Sequence, residues 1–144
     1  MAREKILVVD DEAPVRESLM RVLQSVGFEV EGASSGAEAL QRLAGSPYDL
    51  LVVDIRMPGM DGLEMMRQAK ARDPYVSGLF LTGYGSIDTA IEALEIGVHG
   101  FVLKPVTPDK LLRTVEAAIN RGRTAREAAR LRALTPLLEV SQAL

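Results

Sequence analysis

Four short apolar runs, each closed by a polar residue, mark the chain: Lys5-Ile-Leu-Val-Val-Asp10, Asp49-Leu-Leu-Val-Val-Asp54, Gly78-Leu-Phe-Leu-Thr82 and Gly100-Phe-Val-Leu-Lys104. Unbroken runs of this length suit strands buried on both faces of a parallel sheet. Phe28-Glu-Val-Glu31 alternates apolar with charged residues instead, which keeps one face wet and puts this fifth strand at a sheet edge. Between the strands the apolar period becomes helical. Val15, Leu19, Val22, Leu23 and Val26 share one face of a helix that Gly27 ends. Ser35 with Glu38, and Asp61 with Glu64, stand as capping pairs that open a second and a third helix. Ser86 opens a fourth, with Ile87, Ala90, Ile91 and Leu94 on its apolar side and Gly97 at its end, and Thr107-Pro108 opens a fifth. A strand followed by a helix, five times over, predicts an α/β fold: a parallel sheet with right-handed crossovers and helices on both faces.

In such sheets ligands bind beyond the carboxyl ends of the strands. Asp10, Asp54, Thr82 and Lys104 each close a strand, so the topology alone gathers them at one edge, with Asp11 beside Asp10. Three carboxylates in one pocket repel, by about 4 kcal/mol per pair at about 4 Å in a surface-like dielectric, and a cation relieves this. Hard oxygen ligands without histidine or cysteine favour Mg²⁺ held by carboxylates, waters and an incoming phosphate. A metal, a lysine and a hydroxyl such as that of Thr82 suffice to position and neutralise a phosphoryl group, and a carboxylate can act as its nucleophile.

Composition narrows the setting. The 144 residues suit one domain with a tail, and 47% apolar with 26% charged residues is an ordinary globular balance. No cysteine is present, so neither disulfides nor thiolate metal sites contribute. No apolar run approaches the roughly 18 residues of a membrane span, and the chain enters its first strand almost at once; a cytoplasmic protein without membrane contact is expected. A net charge of −3 gives no basic footprint for direct nucleic-acid binding.

The residues Val8-Val-Asp-Asp-Glu12, Val53-Asp-Ile-Arg-Met-Pro-Gly-Met-Asp-Gly62, Leu81-Thr-Gly-Tyr84 and Leu103-Lys-Pro105 resemble, in order and spacing, the receiver domains of bacterial two-component response regulators. The likeness covers Lys5 to about Asn120. It implies a flavodoxin-like (βα)5 sheet of strand order 2-1-3-4-5, with a receiver over 1–120 and a helical linker over 121–144. It implies that Asp54 accepts the phosphoryl group from a sensor histidine kinase or a histidine phosphotransfer protein. Asp11, Asp54 and the Arg56 carbonyl would ligate Mg²⁺, with Asp10 acting through water, while Thr82 and Lys104 hold the phosphoryl oxygens. Thr82 and Phe101 would act as the switch that alters the face of helix 4, strand 5 and helix 5, and Lys104-Pro105 would be a cis peptide. Such a domain is a signalling switch with autocatalytic phosphotransfer and dephosphorylation, not an enzyme in the ordinary sense. Arg56 and Tyr84 occupy positions that vary in the family, and both are candidates for setting the lifetime of the phosphate.

Plainer readings exist for each residue taken singly. Asp10 and Asp11 could simply begin a helix, Asp54 could form a turn, and Lys104 could be a solvated charge. Met57, Met60, Met65 and Met66 read as packing residues, and His99, the lone histidine, as structural. Flavin binding is disfavoured because Asp10, Asp11 and Glu12 stand where a phosphate loop would follow the first strand. A phosphatase of the haloacid dehalogenase type would need an aspartate where Arg56 stands. The remaining alternative is a receiver-like docking or dimerisation module that works without phosphorylation.

From Lys110 the fifth helix reads on past the domain end, with Arg113, Arg121, Arg123, Arg126, Arg130 and Arg132 as a solvated face. Leu131, Leu134 and Leu138 fall at three-then-four spacing, a short seam for a homodimer through helix 5 and the linker. Thr135-Pro136 reads as a break before a new helix. The apolar ending Leu137 to Leu144 is expected to start a truncated output region; it resembles the opening of a small-molecule-sensing GAF domain, while a DNA-binding or ATPase output fits equally.

Overall fold

The computed structural model describes residues 3–83 and 87–143, with side chains through residue 134. In chain order the elements are β1 (Lys5–Val9), α1 (Ala13–Ser25), β2 (Glu29–Ala33), α2 (Gly36–Gly45), β3 (Leu50–Asp54), α3 (Gly62–Arg72), β4 (Ser77–Thr82), α4 (Ile87–Ile96), β5 (Gly100–Leu103) and α5 (Pro108–Ala143). All strand pairs are parallel and the sheet order is β2-β1-β3-β4-β5. The two-residue period of the strands divides the core. Leu7, Val9, Leu51, Val53 and Phe80 face α2 and α3, burying Ala39, Leu40, Leu63, Met65 and Met66. Ile6, Val8, Leu50, Val52, Leu79 and Leu81 face α1 and α5, against Leu19, Leu23, Leu111, Val115 and Ala118. Both layers are apolar, which is why the central strands are continuous apolar runs rather than alternating ones.

The helix starts are built by side chains. Ser35 Oγ accepts the Glu38 N–H at 3.1 Å, and Asp61 Oδ1 accepts the Glu64 N–H at 2.9 Å. Glu38 reaches one residue farther back than the expected box: its carboxylate accepts from the backbone N–H of Ser34 at 2.9 Å and from its hydroxyl at 2.7 Å. Glu64 turns instead to the side chains of Arg67 and Gln68.

Several expectations change. β5 lies at the edge, as the order 2-1-3-4-5 has it, but is not buried on both faces as its apolar run suggests: Gly100 and Phe101 are half-buried and Leu103 is 55% exposed. Val26 follows the last residue of α1 and is 53% exposed, so the inner face of that helix stops at Leu23; Gly27 takes φ +99, a left-handed turn suited to glycine. In α4 the apolar side proposed from spacing looks outward: Ile87, Ile91 and Leu94 are exposed, and Ala93 is the buried contact. The start of that helix at Ser86 lies outside the described residues. α5 continues through Thr135 and Pro136 without the expected break, since a proline removes a single bond from a ladder that the flanking turns sustain. Its arginines are largely engaged: Arg121 donates to the His99 carbonyl at 2.8 Å, Arg123 pairs with Glu4, Arg126 with Asp73 at 3.2 Å, and Arg130 with Glu127 at 3.7 Å.

Candidate functional site

Register decides what meets at the carboxyl edge. Val9 lies beside Val53, Asp54 beside Leu81, and Thr82 beside Leu103. The residues that follow β1 and β5, Asp10 and Lys104, therefore flank Asp54 at the end of the central strand. Lys104 Nζ donates to Asp54 Oδ2 at 3.1 Å and lies 3.9 Å from Asp10 Oδ2. Carboxylate oxygens of Asp10, Asp11 and Asp54 fall within 4.8 Å of one another. Asp10, Asp54 and Thr82 are buried, while Asp11 and Arg56 are exposed at the mouth.

The loop geometry comes from backbone constraints. Asp10 Oδ1 accepts the Glu12 N–H at 2.9 Å, which holds the carboxyl toward the start of α1, and the Asp10 carbonyl accepts from Arg16 at 2.7 Å. After Asp54, the Arg56 N–H approaches Asp54 Oδ1 at 3.4 Å, and the Gly62 N–H closes the loop by donating to the Ile55 carbonyl at 2.8 Å. A Cβ on Gly62 would stand 2.3 Å from the Asp54 carbonyl oxygen, so only glycine lets the chain pass there. The Lys104–Pro105 peptide is cis.

Electrostatically the site is short of positive charge. Burial pushes the Asp10 carboxyl up from its usual range; the Glu12 N–H opposes this, the Asp54 and Asp11 charges add to it, and Lys104 opposes it. Burial pulls the Lys104 ammonium down, but its bond to Asp54 and the charges of Asp54, Asp10 and Glu12 outweigh this and hold it above the ordinary value. One ammonium faces three carboxylates, and Asp10 Oδ2, fully buried, makes no hydrogen bond among the described residues. A buried acceptor without a donor, in a cluster of hard oxygens, fits a divalent cation such as Mg²⁺.

The structure thus brings Asp10, Asp11, Asp54, Thr82 and Lys104 together, with Arg56 at the rim. Phe101 is half-buried on β5, its ring 6.3 Å from that of Phe80 and tilted by 44°. Tyr84 lies outside the described residues. Arg16 was not foreseen: it is one helical turn inside α1, and nothing in its spacing ties it to the backbone of Asp10. A cavity of about 400 Å³ lined by Leu43, Tyr48, Arg72 and Val76 opens at the other end of the sheet, away from the carboxylates. None of the helices among the described residues is long and apolar enough to cross a membrane.

The family model of the response regulator receiver domain matches residues 6–116. The transcriptional regulatory protein FixJ of Bradyrhizobium diazoefficiens is 35% identical over 139 residues, 91% of this chain and 68% of FixJ. The C4-dicarboxylate transport transcriptional regulatory protein DctD of Rhizobium meliloti is 34% identical over 131 residues; the match takes in 91% of this chain but only 28% of DctD. Among solved structures, a CheY-like receiver domain protein from Methanospirillum hungatei superposes with a TM-score of 0.82 at 28% identity, covering 86% of this chain and 99% of that one. NtrX from Brucella abortus gives 0.84 at 31% identity, covering 93% of this chain and 30% of NtrX.

Proposed function

The chain belongs to the response regulator receiver domain family, and from that premise we propose that Asp54 accepts a phosphoryl group from the phosphohistidine of a sensor kinase or a histidine phosphotransfer protein. The observation that carries this reading is the buried Asp10 oxygen without a donor beside the Lys104–Asp54 contact: a pocket short of positive charge around one positioned carboxylate. Asp54 Oδ attacks the phosphorus, the P–N bond breaks, and the imidazole leaves with the bonding pair and takes up a proton. Later, water attacks the same phosphorus, the new P–O bond breaks, the carboxylate returns and inorganic phosphate departs.

Asp11, Asp54 and the Arg56 carbonyl would hold Mg²⁺, with Asp10 acting through water. When bound, the cation supplies neutralisation of the phosphoryl oxygens. Lys104 binds one of those oxygens and Thr82 donates to another. Withdrawal of Thr82 toward the phosphate, with Phe101 turning inward, alters the face made by α4, β5 and α5. Arg56 and Tyr84, at positions that vary within the family, set the lifetime of the acyl phosphate. The receiver ends near residue 120, and the helical segment 121–144 links it, as a homodimer through α5, to an output region of the kind its longer relatives carry. The protein works in the cytoplasm and this chain does not itself bind nucleic acid.

Intact mass after incubation with Mg²⁺ and acetyl phosphate or phosphoramidate tests the core of this reading. One added phosphoryl group in the native chain and none in Asp54→Asn is the expected result. Equal uptake by both would move the acceptor elsewhere, and none in either, with a kinase donor also supplied, would favour a docking module that works without phosphate.

A further inference from the structure

Beyond the sheet, α5 is held to the body along one side. Gly122 is buried against the start of β4, where an added Cβ would stand 1.6 Å from Ser77 Oγ and 3.0 Å from Ser77 Cβ. One turn on, Arg126 spans to the loop between α3 and β4, reaching the Asp73 carboxylate at 3.2 Å and the Tyr75 carbonyl at 3.3 Å. Arg123 pairs with Glu4 at the foot of β1, and Arg121 donates to the His99 carbonyl ahead of β5. The amino-terminal edge of the sheet, opposite Asp54, thus grips the helix from three strands.

Ile119, Gly122 and Arg126 lie on one side of the helix. At about 100° per residue, Leu134 and Leu131 stand roughly 80° and 140° away from Arg126, and both are exposed. We propose that these contacts are a latch that fixes the direction of the linker half of α5 and the side on which its leucines face. The Arg126–Asp73 pair, half in water, adds little to stability, but with the bond to the Tyr75 carbonyl it holds the helix beyond Gly122 against the body and so bears on the linker's direction. The contact of Gly122 with Ser77 is the demanding part: it exists only while the helix lies directly on β4, and a side chain there fits only if the Ser77 hydroxyl turns away and the helix lifts from the strand. Loosening the latch frees the linker while leaving the sheet and the carboxylate cluster, at the other edge, intact. The latch does not depend on phosphate.

The chain has no cysteine, so spin labels at Gln68→Cys on α3 and Arg132→Cys on the linker report one intramolecular distance, read by pulsed dipolar spectroscopy with excess unlabelled chain. The expected result is a single narrow distance in the otherwise native chain. The narrow peak should be lost in Gly122→Ala and restored when Ser77→Gly is added to remove the clash. Asp73→Ala with Arg126→Ala, changed at exposed positions that leave the core alone, should also broaden it and decides the matter if Gly122→Ala does not fold. A broad distance in the native background, an unchanged peak in the folded variants, or no restoration by Ser77→Gly would overturn the latch.

Discussion

Asp10 shows how a single residue carries both a cost and a use. Its carboxyl is fully buried with one oxygen satisfied by the Glu12 N–H and the other without a hydrogen bond among the described residues. Leaving such an acceptor unpaired costs about 1–3 kcal/mol, so Asp10→Asn should stabilise the cation-free protein by about 1–2 kcal/mol in urea denaturation. The same substitution should remove most of the additional stability that Mg²⁺ confers on the native chain; a variant that gains as much from Mg²⁺ as the native chain would exclude Asp10 from the cation site. Lys104 makes the complementary case. It is the charged donor on Asp54, and Lys104→Met should slow phosphoryl uptake from a small donor by on the order of 10²-fold, followed by mass against time. Asp10, Asp54, Thr82 and Lys104 were legible because each is the polar stop of an apolar run. Arg16 was not, because its partner is a backbone carbonyl, and a carbonyl has no signature in sequence.

At the scale of elements, apolar runs, helical periodicity and capping residues together identified every strand and helix but not always the inward side. Strands in the middle of a two-sided sheet have no wet face, so β1, β3 and β4 declare themselves. α4 misleads for the converse reason: its apolar residues extend over more of the circumference than the body covers, and Ala93 with the half-buried Ile96, not Ile87 or Ile91, packs on the core. Ile91→Ser should therefore change unfolding free energy by no more than about 0.5 kcal/mol. Ala93→Leu should lower it by about 1–3 kcal/mol through overpacking. The reverse order in thermal or urea melts would place the inner face of α4 elsewhere. The edge place of β5 was legible through the resemblance, which carries the order 2-1-3-4-5, and not through its apolar run, which reads like that of an inner strand.

For the whole molecule, acid sensitivity should have a component that belongs to His99. Burial, with Lys70 and then Arg121 nearby, holds its imidazole below the ordinary 6.5. Below about pH 6.5 the unfolded chain takes up a proton that the folded chain resists, so stability falls from there until the folded imidazole itself titrates. Above that window the group contributes no slope. Denaturant titrations between pH 7.5 and pH 5 should show the decline in the native chain and a flatter course in His99→Asn, while the lowered carboxyls Glu31 and Glu38 act only in stronger acid. The unbroken course of α5 has a different consequence, one of counting. Along a continuous helix, every residue inserted after Arg126 swings all that follows by about 100° and carries it about 1.5 Å farther out. Length then becomes bearing: a domain joined there would point a new way after one added residue and return close to its first heading after about seven, so its output should rise and fall with a beat of nearly two turns.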